Sequence, residues 1–264
     1  MNTEGFKALK AVIKALDAGG IPYMLGGSFA SSFYGVPRAT FDADLVVQIV
    51  PAGAAELHSA LKDTFYADEE EMQLAAATRH SFNLIHLETA FKVDLFPLKE
   101  DAYSIEAFSR RVKQPITDDG KTEIFIESPE DVVIAKLLWH KLGGETSVKQ
   151  PADIAGVLKT MAGNLDRAYI QRWTSALGLQ SLLSKIVAVL LVIALLGVFG
   201  SNRLGLENAS LKKHPRLGML VYFLLAVYEG FFAAGAGFFS VLIFMVFFGF
   251  TIIEANATGM IPWL

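Results

Sequence analysis

Two aspartates stand two apart in the stretch YMLGGSFASSFYGVPRATFDADLVV, residues 23–47, directly ahead of an apolar Leu-Val-Val. In an extended segment, side chains at i and i+2 leave the same face, so Asp42 and Asp44 project together while Ala43 and Leu45 face the other way. Two anions side by side repel and are costly to desolvate, and a divalent cation answers both problems, because Mg²⁺ takes carboxylate oxygens together with substrate phosphates. Thirteen residues separate Asp42 from a Gly26-Gly27-Ser28 run. Such glycines let a backbone come close to a phosphate, and a helix opening at Ser28 offers it free N–H groups and a hydroxyl. A third acid lies in FKVDLF, where Lys92, Asp94 and Phe96 share one face and Val93 and Leu95 the other. If that segment lies beside the Asp42 strand, the three carboxylates make a site for two Mg²⁺ ions that activates an attacking hydroxyl, the requirement of in-line nucleotidyl transfer. The plain alternative is an edge strand carrying solvated acids, and spacing alone leaves both open.

The elements that must position these residues follow from periodicity. Residues 1–20, MNTEGFKALKAVIKALDAGG, place apolar residues at helical spacing between acids and lysines, without the continuous apolar core of a signal peptide, so they predict a structural helix stopped by Gly19-Gly20. Then come a strand over 21–26, a helix over 28–34, a turn at Val36-Pro37 and a strand over 42–49. Arg38 and Thr40 lie in that turn, where they would shape a phosphate pocket or simply meet its need for polar residues. A helix is expected after Pro51, with strands near 81–87, 91–96 and 123–126. SPEDVVIAKLLWHKL opens with proline at the first helical position and acids in the first turn, and Gly143-Gly144 stops it. Two more helices are predicted over about 151–161 and 166–177. The expected fold class is therefore α+β, a small mixed sheet with helices packed on it.

The chain has 264 residues and is 53% hydrophobic, with a mean hydropathy of +0.41. Its two ends differ sharply. All aspartates lie at or before Asp166, and residues 182–264 carry only Glu207, Glu229 and Glu254 against Lys185, Arg203, Lys212, Lys213 and Arg216. Removing those three acids and five bases from totals of 27 and 23 leaves residues 1–181 with 24 and 18, a net charge of −6. An acidic front without a Lys/Arg-rich run gives no electrostatic footprint for duplex nucleic acid. The absence of cysteine removes disulfides, thiol nucleophiles and Cys-based zinc sites, and the five histidines, His58, His80, His86, His140 and His214, show no paired ligand spacing.

The string GGSFASSFYGVPRATFDADL, with the later Val93-Asp94-Leu95, resembles the polymerase-beta-type nucleotidyltransferase superfamily, and in particular its minimal and AbiEii-type bacterial branch, over about residues 6–183. The resemblance implies transfer of a nucleotide from an NTP to a hydroxyl of an RNA, a protein or a small molecule, with Mg²⁺ held by Asp42, Asp44 and Asp94 and the triphosphate at Gly26, Gly27 and Ser28. It also implies a toxin-like role with an antitoxin partner. AbiEii-type members add a lysine in one helix and an aspartate in the next, and Lys136 and Asp153 are similar to these, which gives them roles in positioning nucleotide or acceptor. That later motif usually has a basic residue near its aspartate, whereas Gln150-Pro151-Ala152 precedes Asp153 here. Lys136 also fits a snorkelling helix residue, and Asp153 an acid complementing a helix dipole.

Behind residue 181 the pattern changes to a membrane type. IVAVLLVIALLGVFG, residues 186–200, falls short of the roughly 20 residues a span needs, and 217–253 runs about 37 residues with one charge, Glu229, and a glycine-rich break, GFFAAGAG. The stretch from Tyr228 onward is similar to part of the TauE/SafE family of sulfite and organosulfonate exporters, which implies a transporter fragment whose front domain is regulatory or inactive. The expected division is 1–181, a cytoplasmic nucleotidyltransferase-like domain, and 182–264, a partial transmembrane domain in a bacterial cell membrane. Because the basic loop at 203–216 belongs on the cytoplasmic side with an NTP-using domain, the run at 186–200 is expected not to cross alone, and bilayer insertion to begin at Leu217.

Overall fold

The computed structural model describes residues 3–115 and 123–201. The stretch 217–253, Glu229 and the basic loop at 203–216 lie outside the described residues. The chain divides into two compact units, Met1–Trp139 with Gln150–Ser181, and His140–Lys149 with Leu182–Leu264. In the second unit, Glu145 accepts an ion pair from Lys185 at 3.5 Å.

The first unit is built on a seven-stranded mixed sheet. Its strands are β1 (Tyr23–Leu25), β2 (Asp42–Val47), β3 (Phe65–Tyr66), β4 (Phe82–His86), β5 (Lys92–Pro97), β6 (Val112–Pro115) and β7 (Glu123–Ile126), in the order β3-β4-β5-β2-β1-β7-β6. Strand β2 runs parallel to β5 with Asp42 beside Lys92 and Asp44 beside Asp94, and β1 is antiparallel to β2 and parallel to β7. The alternation read from sequence thus becomes a two-faced sheet. Ala43, Leu45, Val47, Val93 and Leu95 are fully buried, while Asp42, Asp44, Lys92, Asp94 and Phe96 share a face that stays half-buried. Each large apolar side chain sealed on the closed face contributes about 1.5–3 kcal/mol.

Helix α1 (Thr3–Ala18) lays Ala8, Leu9, Val12, Ile13 and Leu16 into the core at helical spacing. It ends where Ile21 N–H reaches the Leu16 carbonyl at 2.9 Å past the two glycines. Helix α2 (Gly27–Tyr34) leaves the sheet at the end of β1, and α3 (Pro51–Leu61) opens on its proline. The region between α3 and β4 carries no strong apolar period, and tertiary packing supplies what the pattern does not show. There β3 pairs two residues with β4, and α4 (Glu69–Thr78) is capped by Asp68, whose carboxylate accepts from the Glu71 N–H. Similarly unheralded are α5 (Ala102–Ser109), capped by Asp101, and the four-residue edge strand β6.

Three helices close the unit. Helix α6 (Pro129–Leu142) buries Val132, Val133, Ile134 and Leu137 completely. Helix α7 (Lys149–Thr160) starts two residues ahead of Pro151, and α8 (Arg167–Ala176) has Asp166 as its N-cap. A Cβ on Gly35 would sit 2.9 Å from the Gly156 carbonyl carbon and from the Val157 nitrogen, so the end of α2 and the middle of α7 meet backbone to backbone. That contact brings the α7 acid Asp153 toward the loop after α2. The apolar run at 186–200 lies within α9 (Gln180–Ser201). Among the described residues no helix is long and apolar enough to cross a membrane.

Candidate active site

Three carboxylates and two glycines meet where β1 ends. The Asp44 side chain fills the space above Gly27: a Cβ at that position would lie 1.8 Å from Asp44 Oδ2, and the Gly27 φ of +58° is one that L side chains rarely adopt. Glycine is therefore needed twice over. Gly26 N–H donates to the Asp44 carbonyl at 2.9 Å, which pins the loop to β2. Thr40 Oγ1 donates to Asp42 Oδ1 at 2.7 Å, and Lys92 Nζ pairs with Asp94 Oδ2 at 2.7 Å. The adjacency of β2 and β5, a condition of the sequence argument, is present, and it sets Asp94 directly beside Asp44.

Crowding shows in the charges. Burial, followed by the nearby Asp42 and Asp94 carboxylates, pushes Asp44 up to about 6, with Lys136 and Lys92 opposing. A set of acids that raises its own proton affinity in this way fits a divalent cation, which would supply the missing positive charge. The three acids are not gathered as a ligand sphere, however. Among the described residues no group of three or more His, Asp or Glu side chains is placed to hold one metal ion. The physical reason is visible in the partners: Asp94 is turned to Lys92 and Asp42 to Thr40. The expected three-carboxylate, two-ion centre is thus present as a juxtaposition and not as a coordination shell.

A second cluster of opposite character adjoins it. Arg38 Nε and Nη2 donate to the two carboxylate oxygens of Asp153 at 2.9 and 3.0 Å, and Nη2 also donates to Ser28 Oγ at 2.6 Å. Lys136 Nζ donates to Asp153 Oδ2 at 2.8 Å. Burial works against the Asp153 charge, yet the hydrogen bonds from Arg38 and Lys136 hold its carboxyl below the usual range. Ser28, Lys136 and Asp153 are therefore brought together, and Arg38 joins them. A basic partner for Asp153 arrives from the loop after α2, 115 positions earlier.

One buried acid went unread. Glu127 is 6% exposed, its Oε2 would lie 3.3 Å from a Cβ on Gly26, and its N–H donates to the Leu25 carbonyl at 2.9 Å. Burial, then Asp131, pushes it up to about 8, with Lys136 opposing and Asp44 adding to the rise. In sequence it is one more acid before a helix start, and only the parallel pairing of β7 with β1 places it under the glycines.

No protein-family model matches the sequence, so neither the AbiEii-type branch nor the exporter resemblance of the C-terminal stretch gains a match there. No curated protein matches it at a significant level. Solved structures similar to the chain include nucleotidyltransferases and proteins described as like them. They include a nucleotidyltransferase-like antigenic protein from Paracoccidioides brasiliensis, 16% identical over 70% of this chain and 93% of that one with a TM-score of 0.43. The antibiotic-resistance factor ANT(2″)-Ia is 12% identical over 72% of this chain and 96% of its own, with a TM-score of 0.41. The lincosamide antibiotic adenylyltransferase LnuA is 15% identical over 57% and 94%, with a TM-score of 0.36. At these identities and scores the chemistry has to be argued from the site itself.

Proposed function

We propose that the first unit transfers a nucleotidyl group from an NTP to a hydroxyl of an RNA, protein or small-molecule acceptor. The observation that carries this reading is the Asp44 carboxylate seated on Gly27 between two clusters of opposite charge. On one side stand Asp42, Asp44 and Asp94 with Lys92; on the other stand Arg38 and Lys136 with Asp153. A metal-bound triphosphate has the complementary polarity.

Asp42 and Asp44 would hold Mg²⁺, with Asp94 joining them on release of Lys92. The bound metal supplies charge for the phosphate oxygens. Gly27 and Ser28 would receive the phosphates through backbone N–H groups and a hydroxyl, while the Gly26 N–H stays on the Asp44 carbonyl and holds the loop in place. The acceptor oxygen bonds to the α-phosphorus, the bond to pyrophosphate breaks, and the hydroxyl proton passes to a carboxylate, for which Asp94 is the candidate. The toxin role, the antitoxin partner, the cytoplasmic placement of this unit and a bilayer contact through 217–253 remain parts of this proposal that rest on sequence alone.

Incubation of the full chain with labelled NTPs, Mg²⁺ and cell extract tests the reading. Pyrophosphate release with a labelled acceptor, lost in the Asp42→Asn and Asp44→Asn variants, is the expected result. Transfer that survives in both variants rules the carboxylate roles out.

A further inference from the structure

Arg38, Lys136 and Asp153 do not balance. One carboxylate serves two cations, and the two are not equally placed: the Lys136 and Asp153 side chains are each 6% exposed, whereas Arg38 is 30% exposed. A buried ammonium needs a counter-charge, so Asp153 neutralises Lys136. Arg38 is the more exposed of the two cations and faces solvent, in the field of Asp42 and Asp44 as well as Asp153. Its position is set by three bonds, two to Asp153 and one to Ser28 in the first turn of α2. Those bonds use Nε and Nη2 and leave the Nη1 donors over. Asp153, by contrast, has both oxygens committed to three N–H donors.

We infer that Arg38 is the residue that contacts the phosphates of the substrate, and that Asp153 is a positioning residue that holds Arg38 against Ser28 and takes no part in proton transfer or metal binding. The assignment deepens the nucleotidyl-transfer reading and rests on it for the identity of the anion. A guanidinium gripped on one edge by a carboxylate keeps its planar fork in a fixed direction, so little freedom is lost when phosphate oxygens meet the other edge. Asp153 oxygens that already accept three N–H donors from two cations, in a carboxyl held below its usual range, make a poor base and, beside those cations, a poor metal ligand.

Titration calorimetry of the full-length chain with inorganic tripolyphosphate tests this without requiring turnover. Arg38→Gln leaves the Lys136–Asp153 pair intact and so preserves the fold; it is expected to weaken tripolyphosphate binding by about tenfold or more, and Arg38→Lys by less. Asp153→Asn is expected to weaken binding less than Arg38→Gln, to lower the kcat of transfer, and to leave the shape of its pH profile unchanged. Wild-type affinity in Arg38→Gln, or no binding by the wild-type chain, overturns the inference. So does a pH profile reshaped by Asp153→Asn. Tripolyphosphate binding that depends on Arg38 without transfer from any NTP supports the anion contact and rejects the nucleotidyl reading.

Discussion

Two acid-rich regions of the first unit invite comparison, one at the start of α6 and one on the half-open face of β2 and β5. At the start of α6, Asp131 is fully buried, yet it accepts from Ser128 Oγ at 2.6 Å and from the Tyr169 hydroxyl at 2.7 Å. Arg110 approaches both Asp131 and Glu130, at 3.4 and 3.1 Å, and its guanidinium lies 3.8 Å from the centre of the Tyr169 ring. Burial pushes Asp131 up, and the bonds from Ser128, Tyr169 and Arg110 work against that rise. On β2 and β5 the acids outnumber their cations, and Asp44 has company of its own sign on two sides. Acids with a partner for each oxygen join helices together. Acids crowded at an accessible face beside an indispensable glycine are the ones to which the proposed function assigns a ligand.

The largest effect that sharpens this contrast is on activity. Asp44→Asn is expected to lower transfer by about a hundredfold or more, since it removes a ligand for the charge that the reaction needs. Its thermal stability at pH 7 should be unchanged or higher, because the folded-state carboxyl titrates near 6, above its unfolded value, and so its charge costs stability at neutral pH. Mg²⁺ should raise the Tm of the wild type more than that of the variant, measured by differential scanning fluorimetry. A fall of several degrees in Asp44→Asn without metal would make the two regions alike.

The opposite pattern is expected at the start of α6. Asp131→Ala strands Tyr169, Ser128 and Arg110 and should cost about 3 kcal/mol in urea unfolding, with Mg²⁺ binding by the folded fraction retained. Next in size is Gly35→Ala, whose new methyl would meet the backbone of α7 at 2.9 Å. A loss of about 1–3 kcal/mol is expected from the forced displacement. Calorimetry on the same variant should show weaker tripolyphosphate binding, because α7 carries the brace for Arg38.

The effect at Glu127, which lies between the two regions in character, is confined to the pH dependence of stability. Its carboxyl titrates near 8 in the fold against an ordinary 4.5, so the folded state keeps a proton that the unfolded chain has lost. Stability from this group is accordingly present below about pH 4.5 and declines as the pH rises to about 8. Glu127→Gln should flatten that slope, raising Tm at pH 9 and leaving it near the wild-type value at pH 5. Equal shifts at both values would show that packing, and not charge, decides the contribution of Glu127.

Much of this architecture was legible in local pattern. The alternation in DADLVV and KVDLF has a period that only a strand uses, and the Pro-Glu-Asp start of α6 announces itself through backbone chemistry confined to one turn. Residues 62–80 and 101–115 were harder to read, since α4, α5 and the short edge strands owe their form to packing and pairing with other elements and carry little period of their own. The membrane-type expectations for 217–253 belong to residues beyond those described, and the apolar run at 186–200 is part of α9.

What the sequence by itself determined is the set of residues able to do chemistry and the faces they share: Asp42 with Asp44, Lys92 with Asp94, and a glycine pair ahead of a serine. Periodicity carries that information because i and i+2 on a strand have no choice of side. Only the tertiary structure decided which of these groups are partners. Parallel pairing of β2 with β5 put Asp94 beside Asp44, and pairing of β7 with β1 slid Glu127 beneath Gly26. The backbone contact of Gly35 with Gly156 carried Asp153 to Arg38 across 115 residues. Charge compensation depends on distance in space, and a linear chain does not encode it until the strands and helices have packed.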